Sequence, residues 1–209
     1  MLRHFVFILS CLTAVSVTAA DRTLLVLGDS LSAAYGIDMD QGWVSLLHER
    51  LQEQGYNYRV INTSISGDTT RGAVARLEQT LKRSRPDIAI IELGGNDGLR
   101  GLSLQEMQRN LIDIVNKFRR AGSRVLLIPM QLPPNYGPAY NNRFMDIYRD
   151  LAEHDDVVLG RFILEDIADK PHLMQDDGIH PRAEAQDRML DNIWPQLESM
   201  LSMKEGNPE

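Results

Sequence analysis

Five short apolar runs, separated by longer stretches of helical spacing, limit what this chain can fold into. Residues 23–27 (TLLVL), 59–61 with their neighbours, 88–93 (IAIIEL), 125–128 and 157–159 read as strands. Their apolar character is nearly continuous rather than alternating, which suits strands covered on both faces. Between them, residues 43–54, 70–83, 104–120 and 143–154 carry apolar side chains at helical spacing. Residues 182–200 predict a final helix that Pro195 bends or interrupts. Strand–helix alternation of this kind implies an α/β fold, a parallel sheet covered by helices and joined by right-handed crossovers.

The 209 residues, 43% of them hydrophobic, supply one sizeable core, and a single domain is expected over residues 21–205 with a frayed tail at 206–209. The formal net charge is −7 and no Lys/Arg-rich run occurs, which argues against a nucleic-acid partner. Residues 1–20 stand apart: Arg3 and His4 open them, residues 5–17 are almost wholly apolar, and Thr18-Ala19-Ala20 precede Asp21. This is the three-part form of a secretory signal, and the apolar run falls short of the roughly 20 residues a bilayer span needs. The expectation is export, to the periplasm or beyond the cell, with no membrane anchor once the signal is removed. The only cysteine, Cys11, lies inside that segment, so the mature chain has neither disulfide nor thiol chemistry.

In parallel sheets of this kind ligand sites gather beyond the carboxyl ends of the strands, so the residues that follow each strand are where chemistry is expected. The first strand runs into Gly28-Asp29-Ser30, where Gly28 allows a sharp turn and Ser30 is a candidate nucleophile; the same residues also read as a helix cap. The second leads to Ser66-Gly67-Asp68, whose glycine lets a backbone N–H approach a substrate oxygen. The third ends in Gly94-Gly95-Asn96, which exposes the Asn96 amide as a donor; both loops also read as plain turns. Near the end of the chain stands Asp176-Asp177-Gly178-Ile179-His180-Pro181. Pro181 keeps His180 out of helical geometry and suits the first position of the following helix. Asp177 can fold back across Gly178 toward the imidazole, where a carboxylate would fix the tautomer and stabilise the imidazolium. The same cluster with His172 is an alternative metal set, but its spacing matches no strong zinc pattern. His48 and His154 fall within helical patterns and read as surface or helix-end residues.

These blocks resemble the SGNH (GDSL-type) hydrolase family, and within it the bacterial periplasmic thioesterase I/lysophospholipase L1/arylesterase group. The matching segments are GDSLSAAYG around Ser30, ISGDTTRG around Gly67, ELGGNDGLRG around Asn96, MQDDGIHP around His180, and QLPPNYG at 131–137. The resemblance implies a flavodoxin-like three-layer α/β/α fold and an enzyme that needs no metal or cofactor. It implies Ser30 as nucleophile, His180 as general base and Asp177, rather than Asp176, as the residue that orients the histidine. The oxyanion hole it implies is formed by the backbone amides of Ser30 and Gly67 and the side-chain amide of Asn96.

The expected substrates are small acyl esters and thioesters. Leu99 and Leu102 are candidates for a lid over the acyl chain, as the corresponding loop moves in the resembling enzymes, and Met130, Leu132, Pro133, Pro134 and Tyr136 for an apolar wall. Two other readings remain at this level: a carbohydrate O-deacetylase of the same family, and a non-catalytic acyl-lipid carrier on the same fold.

Overall fold

A computed structural model describes residues 22–153 and 156–202. The proposed signal segment 1–20, His154 and the tail 206–209 lie outside the described residues.

The run TLLVL becomes the middle of the sheet because nothing in it can face water. Strand β1 (Arg22–Gly28) has Leu24, Leu25, Val26 and Leu27 fully buried. It pairs in parallel on one side with β2 (Tyr58–Asn62) and on the other with β3 (Ile88–Glu92). Beyond β3 lie β4 (Arg124–Leu127) and β5 (Val157–Leu159), which completes a five-stranded parallel sheet of order β2-β1-β3-β4-β5. This is the flavodoxin-like order, and its direction of winding reverses between β1 and β3, where such folds open a crevice at the carboxyl edge.

Helices cover both faces. On one, α1 (Trp43–Glu53) packs against α6 (Gln186–Ser202). On the other, α4 (Leu104–Arg120) packs between α2 (Thr70–Ser84) and α5 (Pro138–Leu151). The amphipathic spacing explains the seating of α4: Met107, Leu111, Ile114, Val115 and Phe118 form one stripe and all are buried. Each such side chain taken from water contributes about 1.5–3 kcal/mol. Ser103 caps this helix by accepting from the Glu106 N–H, while the Glu106 carboxylate turns away to bind Arg71.

The helical expectations differ from the structure at their ends. Helix α5 starts at Pro138, five residues before the apolar spacing begins, because Gly137 at φ 86° precedes a proline at the first helical position. The last helix is entered through a 3-10 turn at Ala183–Ala185, and Pro195 lies inside α6 without ending it. A short helix, α3 (Gly95–Leu99), stands where the sequence predicts a turn. No helix among the described residues is long and apolar enough to cross a membrane.

Candidate active site

Beyond the carboxyl ends of β1, β2 and β3, tertiary bonds gather the predicted loops. Gly28 ends β1 in ordinary extended geometry, so its role differs from the sharp turn expected of it: a Cβ there would lie 2.6 Å from Ser32 Oγ and 2.8 Å from Glu92 Oε2. The chain then curls, with Ala33 N–H donating to Asp29 O and Tyr35 N–H to Ser30 O, and Ser30 sits on that turn. The loop after β2 is tied to the turn by Ile65 N–H to Gly28 O and by the Asn62 amide to Ser32 O. Asp68 pairs with Arg76, which also holds Thr63 O, so Gly67 (φ 76°) lies in a braced loop. After β3, Gly94 takes φ 108°, and a Cβ on it would collide with the Tyr148 hydroxyl. That conformation starts α3 at once and brings Asn96 beside Asp29.

His180 arrives on a small clip rather than at a helix start. Gln175 N–H donates to His180 O, Arg182 N–H donates to Leu173 O, and Pro181 bridges to Met174. Inside the clip Asp177 Oδ1 accepts from the backbone N–H groups of Ile179 and His180, and Oδ2 lies 2.6 Å from His180 Nδ1. His180 Nε2 lies 2.9 Å from Ser30 Oγ. A proton on Nδ1, shared with Asp177, leaves Nε2 as the acceptor for the serine hydroxyl. Asp176 instead points to Arg182. Partial burial presses the Asp177 carboxyl upward, but the bonds from the His180 ring and the two backbone amides outweigh it and hold it at about 2. Among the described residues no group of three or more His, Cys, Asp and Glu side chains could hold a metal.

The backbone N–H groups of Ser30 and Gly67 have no acceptor among the described residues, and Asn96 Nδ2 spends one N–H on Asp29 Oδ2 at 2.9 Å. Two side chains that no sequence motif singles out also stand here. Tyr35 packs its ring 4.3 Å from the His180 ring, and Arg100 donates to both Gly67 O and Asn96 Oδ1. Arg100 lies within the GGNDGLRG block, but nothing in the block says which carbonyl it meets.

Beneath the turn are two carboxyls with no cation bonded to either among the described residues. Asp29 is 3% exposed and Glu92 is fully buried. Burial raises Glu92 well above the glutamate range, helped by the nearby Asp29 charge, and raises Asp29 to about 6. A raised carboxyl stabilises the fold below its unfolded value of 3.8, and Asp29 loses that contribution as pH rises through about 6. Asp177 has the opposite sign: its contribution is present above 3.8 and is lost as pH falls through about 2.

The triad-like group opens on a cleft of about 610 Å³. Leu99, Met130, Leu132, Pro133 and Pro134 line it, whereas Leu102 and Tyr136 do not. Leu102 is 43% exposed, and the Tyr136 hydroxyl bonds Leu99 O from behind the wall. Phe162, Leu164 and Met174 line the cleft as well, and none of them is among the residues expected from the sequence. Phe162 and Leu164 come shortly after β5, so the strand-end rule extended to the fifth strand would have found them.

Comparison with known proteins agrees with this geometry. Residues 26–188 match the GDSL-like Lipase/Acylhydrolase family. The chain is 50% identical over 193 residues to Esterase TesA of Pseudomonas aeruginosa, covering 91% of this chain and 96% of that protein. It is 42% identical over 199 residues to Thioesterase 1/protease 1/lysophospholipase L1 of Escherichia coli, covering 95% of this chain and 94% of that one. A crystal structure of the psychrotrophic esterase EstA from Pseudoalteromonas, inhibited by monoethylphosphonate, superposes with a TM-score of 0.83 at 40% identity, over 88% of this chain and 100% of that one. On sequence, fold and arrangement together, this chain belongs to the GDSL-like lipase/acylhydrolase family and is an esterase of the serine-hydrolase type.

Proposed function

We propose that this chain is an exported serine hydrolase that cleaves carboxylic esters and thioesters through an acyl-enzyme on Ser30. The observation that carries the reading is the relay from Ser30 Oγ to His180 Nε2 at 2.9 Å and from His180 Nδ1 to Asp177 at 2.6 Å, at the mouth of an apolar cleft. His180 takes the hydroxyl proton as Oγ attacks the acyl carbonyl, and Asp177 stabilises the imidazolium. The oxyanion receives the N–H groups of Ser30, Gly67 and Asn96. Collapse breaks the bond to the alcohol or thiol, which leaves with the proton from His180. Water, deprotonated by the same nitrogen, then releases the acid.

The names of the relatives, an esterase and a thioesterase/lysophospholipase, support both ester and thioester cleavage, and the cleft supports an acyl group of some length. A kinetic panel of acyl-CoA thioesters, lysophospholipids and aryl esters tests the substrate class, with Ser30→Ala as the blank. Hydrolysis of none of the three overturns it. Chain-length dependence tests the wall. Leu99→Ala and Leu132→Ala are expected to cost about tenfold on long-chain nitrophenyl esters and little on the acetate, the scale of lost methylene contacts. Leu102→Ala, outside the cleft, spares every length. An equal loss at every length for the first two would count against an acyl wall.

Export rests on the apolar segment ahead of Asp21. Amino-terminal sequencing of the protein taken from a periplasmic extract is expected to begin at Asp21; an intact Met1 refutes cleavage.

A further inference from the structure

The nucleophile, base and oxyanion donors leave the two buried carboxyls, Asp29 and Glu92, without a part in the reaction. Their four oxygens are unequally served. Asp29 Oδ1 accepts from Leu31 N–H at 3.1 Å and Oδ2 from Asn96 Nδ2 at 2.9 Å. Glu92 Oε2 accepts from the Ser32 hydroxyl at 2.7 Å and from Asp29 N–H at 3.3 Å. Glu92 Oε1 is buried and receives nothing. A carboxylate with one fully buried oxygen that no donor serves keeps much of its desolvation cost, and a proton on the Glu92 carboxyl removes that charge.

We propose that Asp29 and Glu92 form a positioning pair that holds one proton on Glu92 and one negative charge on Asp29, and that this charge fixes the Asn96 amide with its free N–H toward the oxyanion. The proposal rests on the reading of Asn96 as an oxyanion donor.

The geometry explains why a charge is needed and not merely an acceptor. Asn96 is gripped at both ends: Arg100 donates to Oδ1, and Asp29 accepts from Nδ2. Turning the amide over would set its oxygen against the Asp29 carboxylate and its NH₂ against the guanidinium, so both contacts become repulsive. A protonated Asp29 has its own O–H to offer, accepts either face of the amide, and leaves the orientation to the exposed Arg100 alone. Glu92 completes the device from β3, where pairing puts it beside Gly28. Protonated, it holds Ser32 and the Asp29 backbone, clamping the turn around Ser30 without a second negative charge in the same dry pocket. Two carboxylates at such a site do not ionise together, and the pair titrates as a unit. The raised Glu92 and the Asp29 value of about 6 agree with that division. The other titratable groups coupled to the pair are His180 and Tyr148 on α5, and neither supplies a permanent counter-charge.

Two measurements on the full chain test this. Infrared difference spectra at neutral pH are expected to show the carbonyl band of a protonated buried carboxyl that disappears in Glu92→Gln and persists in Asp29→Asn. No such band in the unsubstituted protein, or its loss in Asp29→Asn instead, overturns the assignment, and the first of these outcomes needs no variant to fold. The acid limb of the kcat/KM profile on nitrophenyl butyrate supplies the second. It is expected to fall with the second power of proton concentration, one of the two protons belonging to the pair.

Asp29→Asn should lower kcat by up to about 10²-fold, the scale of a misdirected oxyanion donor, and reduce the limb to the first power. Glu92→Gln should keep the steep limb, because Asp29 still titrates. A steep limb in Asp29→Asn, or a first-power limb in Glu92→Gln, refutes the proposal, since a merely structural role would not move the exponent in this way. Asp29→Asn placed on Asn96→Ala should add no further loss in kcat, and a full additional loss would show that Asp29 acts elsewhere. If Asn96→Ala itself keeps its kcat, the oxyanion reading fails rather than the pair alone.

Discussion

Ser30→Ala and His180→Ala are each expected to lower kcat by about 10⁶-fold, and the double variant by no more than either. The reason is that in the proposed mechanism the two groups perform one event. Ser30 Oγ is a poor nucleophile until His180 Nε2, 2.9 Å away, takes its proton, so losing either partner loses the whole attack. Asp177→Ala should cost less, about 10⁴-fold, because the imidazole remains and loses only its orientation and the stabilisation of its charge. Labelling by a fluorophosphonate reports the nucleophile directly. It is expected in the unsubstituted protein and absent in Ser30→Ala, and a label that persists in that variant places the nucleophile elsewhere. Costs that multiply in the Ser30/His180 double variant would mean that the two residues act independently.

Asn96→Ala is expected to lower kcat by about 10²–10³-fold with KM little changed, since its free N–H meets charge that exists only in the transition state. The fold should survive: Asn96 is only half-buried, and the backbone of α3 is held by other bonds, including those of Asp97 to the N–H and hydroxyl of Thr70. Circular dichroism and thermal melting separate the two effects. A variant that melts normally and turns over normally removes Asn96 from the reaction. The three proposed donors come from three different loops, so the remaining two should hold residual turnover well above that of Ser30→Ala.

Much of this arrangement can be read from residues alone because its parts follow local rules. The run at 23–27 has no polar face, so it becomes a central strand, and the residues after it must lie at the sheet edge where Ser30 stands. Asp177 and His180 are three residues apart across Gly178, close enough for sequence to bring them together. The start of helix α5 has no apolar signal, since residues 138–142 carry no apolar stripe and only the Gly137-Pro138 backbone starts the helix. The acyl wall was read in part for a similar reason. Leu99, Leu132 and Pro133 face the cleft, while Tyr136 supports it from behind, and nothing local separates the two positions.

What the amino-acid sequence determined by itself was the α/β alternation, the loops proposed to bear the chemistry and the resemblance that gave each loop a role. What only the tertiary structure decided was which residues far apart in the chain meet: His180 on Ser30, Arg100 on Gly67, Phe162 in the same cleft as Leu99, and Glu92 beneath Asp29. The division has a physical cause. Strand and turn preferences act over a few residues, whereas the protonation and orientation of a buried group depend on every neighbour that replaces water around it. Asp29 and Glu92 look like ordinary acidic residues in the chain. They become a buried pair only when β1 and β3 lie side by side.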